Sequence, residues 1–299
     1  MRLSQLRFVL ALWLCFVPPT FAQSYSTSIT DQYRVATNVT YLKEGAWEGK
    51  LDIYSRTDPG AHPTLIFIHG GNSMGGAKED TILSVLPYLE WGWNVVNIEH
   101  RLPGVTLAPA AFNNCFCALR WIVQNAGQYG FDTGALVLSG ESSGGWAALA
   151  AAMSPKPPGW DQSCPGSGEA KIAAVVNWFG VADLADVLEG PNKRAYAAGW
   201  IRNLPNPLEV AKAVSPINFV RSGVPPVISI HGDADPVVPY SQSVRLHQAL
   251  RQAKVTEELI TVPGGTHGPF AFSRSDNQKA FAAIKAFLAK NGIPRTLPK

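Results

Sequence analysis

Charge is scarce in this sequence. Asp, Glu, Lys and Arg make up only 16% of the 299 residues, and the formal net charge is +3. No stripe of basic residues is present, which argues against a nucleic acid partner. A long apolar run is also missing near the N-terminus, where residues 8–17 fall short of the about 20 apolar residues that cross a bilayer. We therefore expect no nucleic acid partner and no membrane span.

The first 22 residues resemble a targeting signal. Arg2 and Arg7 precede the apolar run 8–17, and two prolines end that run. Residues 20–22 end with an alanine, as expected at a signal-peptidase cleavage site. We expect residues 1–22 to be a secretory signal peptide and residues 23–299 to form one domain. The mature protein would then be secreted or periplasmic.

Cysteine is rare as well, with four in the sequence. Cleavage after Ala22 would remove Cys15 and leave Cys115, Cys117 and Cys164 in a compartment that permits disulfides. Cys115 and Cys117 lie two residues apart on a predicted helix, so their side chains point in different directions. Either Cys164 pairs with one of these two, or all three remain free thiols.

Short apolar segments alternate with helical patterns along the chain, and 46% of the residues are hydrophobic, enough for a large core. This alternation predicts an α/β fold, with a mostly parallel twisted sheet of about eight strands and helices on both faces. Residues 25–37 are interpreted as a poorly fixed polar segment, and residues 182–215 are too short for a large cap domain. The predicted strands are residues 38–43, 50–55, 64–68, 94–98, 135–138, 172–178, 226–230 and 257–262.

A candidate nucleophile stands between one of these strands and a helix. Gly140, Ser142 and Gly144 form a G-x-S-x-G pattern directly after the strand 135–138. Such a sharp turn strains the serine backbone and is tolerated because the flanking glycines carry no side chain. We expect the Ser142 hydroxyl to stand above the sheet, with the Ser143 amide at the helix N-terminus facing a developing oxyanion.

Serine is a weak nucleophile until a histidine takes its proton. Of the six histidines, His267 is favoured because it lies in a Gly-rich loop beyond the last predicted strand, where the order Ser, Asp, His places the base. The others receive different interpretations: His62 and His247 as surface residues, His69 and His231 as side chains that fix turns, and His100 as a candidate for the cleft wall.

Two aspartates in one loop compete for the role of the acid. Asp233 and Asp235 both follow the strand 226–230, which precedes His267 in the chain. Asp235 is preferred, because Asp233 directly follows a tight turn and is better placed to cap the amides of that turn.

Several motifs in a fixed order make this chain similar to the α/β-hydrolase superfamily. Within it, the chain resembles the secreted carboxylesterases related to bacterial feruloyl and acetylxylan esterases and to hormone-sensitive-lipase-like esterases. The motifs are Leu51-Asp52-Ile53-Tyr54, His69-Gly70-Gly71, Arg101-Leu102, Ala118-Leu119-Arg120-Trp121, Gly140-Glu141-Ser142-Ser143-Gly144-Gly145, Ser215-Pro216, His231-Gly232-Asp233-Ala234-Asp235-Pro236-Val237-Val238-Pro239 and Gly265-Thr266-His267-Gly268.

The resemblance implies a triad of Ser142 as nucleophile, Asp235 as acid and His267 as base. It also implies an oxyanion hole formed by backbone N–H groups of Ser143, Gly71 and Asn72, where Asn72 replaces the small residue usual in the family. No metal and no cofactor are implied. The substrate would be a small-molecule or polysaccharide-linked carboxylic ester, and the oligomeric state is left open.

Two alternatives are kept beside the esterase. A serine peptidase of the prolyl-oligopeptidase type has a similar hydrolase domain, but its large extra domain does not fit in this chain. A non-catalytic binding protein with the same fold typically lacks a triad member, whereas all three candidates are present here.

Overall fold

The computed structural model describes residue 29 and residues 31–293, apart from 73–74, 104–105, 156–163 and 202–203. The expected signal peptide, residues 1–22, lies outside these residues. In the part of the chain that is described, no helix is both long and apolar enough to cross a membrane.

The described residues form one eight-stranded sheet with the order β1-β2-β4-β3-β5-β6-β7-β8. Strands β3 to β8 pair in parallel, and the first two strands add an antiparallel hairpin at one edge. This confirms the predicted architecture. The strands are β1 (Tyr33–Glu44), β2 (Trp47–Arg56), β3 (His62–Ile68), β4 (Asn94–Ile98), β5 (Phe131–Glu141), β6 (Ile172–Trp178), β7 (Val227–Gly232) and β8 (Glu257–Val262).

Helices cover both faces of the sheet. Successive side chains of β3 point to opposite faces, because a strand repeats every two residues. Ile66 and Ile68 therefore pack into one core, and Leu65 and Phe67 into the other. The α-helices are α1 (Ile82–Glu90), α2 (Ala108–Gln124), α3 (Ala126–Tyr129), α4 (Ser143–Met153), α5 (Leu184–Glu189), α6 (Ala195–Ile201), α7 (Pro207–Ala213), α8 (Ser241–Gln252) and α9 (Arg274–Lys290).

The N-terminal segment differs from expectation. The interpretation of residues 25–37 as poorly fixed is wrong from Tyr33 onward, because β1 begins there and pairs Tyr33 with Arg56. The Tyr33 hydroxyl also lies 2.7 Å from the carbonyl oxygen of Leu89, to which it donates, and 3.1 Å from that of Trp93. Polar sequence concealed this strand, since an edge strand needs few apolar residues when its backbone and one aromatic side chain are anchored.

Of the alternatives for the cysteines, the structure has a disulfide between Cys117 and Cys164. It ties α2 to the loop that follows α4. Cys115 is a buried free thiol, and burial raises its pKa to about 12.

Candidate active site

Ser142 occupies a sharp turn between β5 and α4. Its backbone has φ of 55° and ψ of −116°, a region that side-chain-bearing residues rarely adopt. The turn is possible because Gly144 has no side chain: a Cβ there would lie 2.1 Å from the carbonyl oxygen of Ile68. The Ser142 N–H donates to Trp178 O at 2.9 Å, which fixes the turn against β6.

His267 joins Ser142 and Asp235 in one line of hydrogen bonds. The Ser142 Oγ lies 3.0 Å from His267 Nε2, and His267 Nδ1 lies 2.7 Å from Asp235 Oδ2. The consistent assignment has Nδ1–H donating to the carboxylate, which leaves Nε2 to accept the serine proton. The His267 side chain is 21% exposed while that of Asp235 is fully buried, so His267 reaches the surface and Asp235 does not.

The Asp235 carboxylate is surrounded by backbone N–H groups and histidine nitrogens. Its Oδ1 accepts from the backbone N–H groups of Val237 at 2.8 Å and Val238 at 3.0 Å. Its Oδ2 also lies 3.3 Å from His231 Nε2. Burial alone would raise the pKa of Asp235, but the hydrogen bonds from His231 and His267 hold this pKa well below its usual range. A carboxylate this well satisfied stays ionised and oriented.

Asp233 has a different partner from the one expected. Its carboxylate accepts from Gly264 N–H at 2.6 Å, in the loop that carries His267, rather than from amides of its own turn. The prediction that it caps its own turn is therefore wrong. Asp233 ties the acid loop to the base loop across the ends of β7 and β8.

The expected oxyanion hole involves Gly71 and Ser143, which are in contact. The Ser143 hydroxyl donates to the Gly71 carbonyl at 2.8 Å. Gly71 has φ of +146°, and a Cβ there would lie 2.5 Å from Gly75 O, so the conformation requires glycine. The sequence analysis gave Ser143 only a role for its backbone N–H. Its side chain also fixes the loop that contains Gly71.

This contact decides where the Asn72 amide points. In a trans peptide the C=O of Gly71 and the N–H of Asn72 point in opposite directions. With the carbonyl turned to Ser143, the Asn72 N–H turns away and donates to Gly75 O at 3.0 Å. The expectation that Asn72 supplies an oxyanion donor is corrected accordingly. The backbone N–H groups of Gly71 and Ser143 remain the candidate oxyanion donors.

Three other histidines make hydrogen bonds that fix the loops around the site. His69 Nδ1 lies 2.8 Å from Gly70 O, and His231 contacts Ser243 Oγ and Val238 O, so both act at turns as predicted. His100 is not a cleft wall, since it is buried with Nε2 3.1 Å from His69 O. Burial lowers its pKa to about 3, which keeps the ring neutral.

His247 is not a surface residue. It is 1% exposed, and its ring bridges Glu257 at 2.6 Å and Ser229 Oγ at 2.7 Å. The amphipathic pattern of α8 predicted a surface position for His247, because a buried polar residue cannot be told from a solvent-facing one in sequence.

Phe179 is a residue of the site that the sequence analysis missed. Its ring packs edge-on against His267, with centroids 4.7 Å apart, and supports the imidazole. It directly follows β6, with a positive φ of 40°. Its position at the carboxyl end of a parallel strand was the available signal, since such ends carry the sites of open α/β sheets.

Among the described residues, no group of His, Cys, Asp and Glu side chains is arranged to hold a metal ion. The arrangement of Ser142, His267 and Asp235 instead suits proton transfer and covalent attack on a carbonyl.

Comparison with known proteins places this chain among esterases. The BD-FAE family matches residues 51–250, which include Ser142 and Asp235 and end before His267. Esterase LipQ of Mycobacterium tuberculosis is 30% identical over 250 residues, covering 79% of this chain and 58% of LipQ. The chain thus spans little more than half the length of this curated relative.

Two solved structures are similar to this chain over nearly their full length. A truncated carbohydrate esterase from gut microbiota has a TM-score of 0.71 and 29% identity, covering 87% of this chain and 97% of its own. Esterase Est2 of Thermogutta terrifontis with propionate bound has a TM-score of 0.71 and 26% identity, covering 92% and 99%.

Proposed function

The chain belongs to the BD-FAE family of α/β-hydrolases, and we propose that it is a serine esterase that hydrolyses carboxylic esters. The observation that carries the proposal is the continuous line of hydrogen bonds from Ser142 through His267 to Asp235. A hydroxyl, an imidazole and a buried carboxylate in this order are what acyl transfer needs.

In the first half of the reaction, Ser142 Oγ attacks the ester carbonyl and passes its proton to His267 Nε2. The carbonyl oxygen becomes an oxyanion that accepts from the N–H groups of Ser143 and Gly71. When the intermediate collapses, the bond to the alcohol oxygen breaks and His267 gives its proton to that oxygen. The alcohol leaves, and the acyl group stays on Ser142.

In the second half, water takes the place of the alcohol. His267 accepts a proton from the water as it attacks the acyl-enzyme, and returns it to Ser142 Oγ when the acid is released. Asp235 remains ionised throughout and stabilises the imidazolium, as its low pKa allows. This chemistry uses no metal or cofactor.

For the substrate, we propose a short acyl group on a small or polysaccharide-linked alcohol. Support comes from the neighbours, one described as a carbohydrate esterase and another holding propionate. We also propose that the protein acts outside the cytoplasm, after removal of residues 1–22. The Cys117–Cys164 disulfide supports an oxidising compartment.

The function is tested with p-nitrophenyl esters of increasing acyl length and with paraoxon, which phosphorylates activated serines. We expect turnover of the short esters, and mass spectrometry should locate the paraoxon adduct on Ser142. Ser142→Ala should fold and lose turnover by about 10⁴-fold or more. Turnover of a peptide p-nitroanilide in preference to esters would favour the peptidase, and no turnover of either would favour a binding protein.

A further inference from the structure

The loop that follows β3 contains Gly71, a candidate oxyanion donor. Called here the oxyanion loop, it comprises the described residues 69–72 and 75–78, which lead from β3 toward α1. Asn72 and Gly75 exchange two backbone hydrogen bonds of 3.0 Å, so the two arms of the loop run side by side. Glycine-rich backbone has many accessible conformations, and a misplacement of about 1 Å can cost about 10²-fold in rate. The activity therefore depends on how firmly the ends of this loop are fixed.

The carboxylate of Glu99 contacts both ends of the oxyanion loop. Its Oε1 lies 3.3 Å from Nε2 of His69, the first loop residue, in a close contact that lacks the alignment of a hydrogen bond. Its Oε2 accepts from the backbone N–H of Lys78, the last loop residue, at 3.0 Å. Between these ends the two arms are so close that a Cβ on Gly76 would collide with the Gly70 carbonyl oxygen. One side chain thus closes the ends of the loop, while backbone sets its shape between them.

The contact with His69 bears directly on the direction of one oxyanion donor. His69 Nδ1 lies 2.8 Å from Gly70 O, and because a carbonyl oxygen only accepts, Nδ1 carries a proton and donates it. The Gly70 C=O and the Gly71 N–H belong to one trans peptide and point in opposite directions. Holding the carbonyl therefore orients the N–H. Glu99 acts on this peptide through the imidazole of His69, which is only 1% exposed.

The other end of the loop is anchored in the body of the protein. Lys78 is 2% exposed, and its Nζ donates to Asp52 Oδ2 at 2.9 Å. The Lys78 carbonyl accepts from Asn97 Nδ2 at 2.6 Å. With these bonds in place, the Lys78 N–H is a fixed point, and the carboxylate that accepts from it is fixed in turn.

Glu99 is itself held by the sheet. It directly follows β4, its N–H donates to Lys50 O at 2.8 Å, and its carbonyl accepts from the Tyr41 hydroxyl at 2.8 Å. Burial alone would raise the pKa of Glu99, but His69 and the N–H of Lys78 hold this pKa below its ordinary value. The carboxylate is therefore ionised near neutral pH and has an oxygen for each end of the loop.

We infer that Glu99 is a positioning residue of the esterase reaction, which orients the Gly71 N–H through His69 and ties the far end of the oxyanion loop through Lys78. This inference rests on the proposed esterase function. It adds to the site a side chain that acts on the oxyanion only through the loop backbone.

The kinetic test replaces the carboxylate in two steps. Glu99→Ala should lower kcat for p-nitrophenyl acetate by about 10²-fold with little change in KM, because oxyanion donors act mainly in the transition state. The affinity for trifluoroacetone, which adds to the serine and then carries an oxyanion, should fall by a similar factor. Glu99→Gln keeps an oxygen for the Lys78 N–H and should recover part of the loss, leaving kcat down by about tenfold.

Glu257→Ala is the matched control. Glu257 Oε2 also contacts a buried histidine, at 2.6 Å from His247 Nδ1, but in β8 rather than at the oxyanion loop. This variant should lower the melting temperature and leave both kcat and the affinity for trifluoroacetone unchanged. The same outcome in Glu99→Ala would overturn the inference. If Glu99→Ala does not fold, an unchanged kcat in folded Glu99→Gln overturns it instead.

A measurement without turnover separates this inference from the function. Hydrogen exchange of peptides that cover residues 69–78 should be faster in Glu99→Ala, or in Glu99→Gln if that is the variant that folds, and unchanged in Glu257→Ala. If exchange in the loop stays the same while the unaltered protein hydrolyses p-nitrophenyl acetate, the positioning role fails and the esterase stands. If exchange becomes faster but the unaltered protein hydrolyses no ester, the esterase proposal fails while Glu99 still holds the loop.

Discussion

The two sides of Ser142 are built on different principles. On the acid–base side, His267 and Asp235 are joined by a hydrogen bond, and Asp235 accepts two further backbone N–H groups at 2.8 and 3.0 Å. On the oxyanion side, the loop around Gly71 is glycine-rich, and the Ser143 hydroxyl holds its carbonyl at 2.8 Å. One side is fixed by side chains that satisfy one another, the other by a backbone that only glycine can adopt.

The difference indicates how each side would fail. A network of paired side chains loses function when one member is changed, because its partners are left unsatisfied in a buried place. A bare backbone loop loses function when any side chain is added. The predictions below set one side against the other, beginning with the largest expected effect.

Asp235→Asn should break the acid–base side outright. The amide cannot hold His267 in the right tautomer or stabilise its charged form, so kcat should fall by about 10⁴-fold with little change in KM. Asp233→Asn is the matched control, since it also removes one carboxylate from this loop. The Asp233 carboxylate accepts from Gly264 N–H and does not contact His267. This variant should lower the melting temperature and leave kcat nearly intact; the reverse pattern would give the acid role to Asp233.

Much of the acid–base side was readable in sequence. The motif around Ser142, the position of His267 beyond the last strand and the order of the three residues follow from where parallel strands end. The structure brings Ser142, His267 and Asp235 together as that reasoning expected. Five strand positions also followed from apolar runs alone, because buried parallel strands contain little else.

The oxyanion side was not readable to the same degree. The direction of the Asn72 N–H depends on which way one peptide turns, and that is set by a tertiary contact between Ser143 and Gly71. The partner of Asp233 and the burial of His247 were misread for the same reason. A polar side chain looks alike in sequence whether water or a distant buried group satisfies it.

Gly71→Ala should break the oxyanion side by adding a single methyl group. Its Cβ would lie 2.5 Å from Gly75 O, so the loop has to move and withdraw its donor. Loss of one oxyanion donor corresponds to a fall of about 10²–10³ in kcat. Gly60→Ala is the control, because Gly60 also has a positive φ, +116°, but open space around it. An equal loss of kcat in both variants would remove the special role of Gly71.

Ser143→Ala should loosen the same loop without removing an amide. The backbone N–H of residue 143 stays, while the hydrogen bond to the Gly71 carbonyl is lost, worth about 1 kcal/mol. We expect kcat to fall about fivefold to tenfold, with KM less affected. The control is Ser55→Ala, which removes a buried hydroxyl that donates to Arg34 O far from the site. If Ser143→Ala has full activity, the loop holds its shape without this hydroxyl.

Asn72→Gly should have the smallest effect. It tests whether the Asn72 side chain takes part in stabilising the oxyanion. The Asn72 N–H is directed at Gly75 O, and the peptide that carries it is held by Ser143 through Gly71; Asn72→Gly leaves the groups of both hydrogen bonds in place. We expect kcat to change by no more than about twofold, the size of an ordinary substitution outside the machinery. A side chain that stabilised the oxyanion itself would cost about 10²–10³ on removal. Steady-state kinetics with p-nitrophenyl acetate distinguishes the two, and a loss of the larger size would make Asn72 a third donor through its amide group, with the loop backbone only its support.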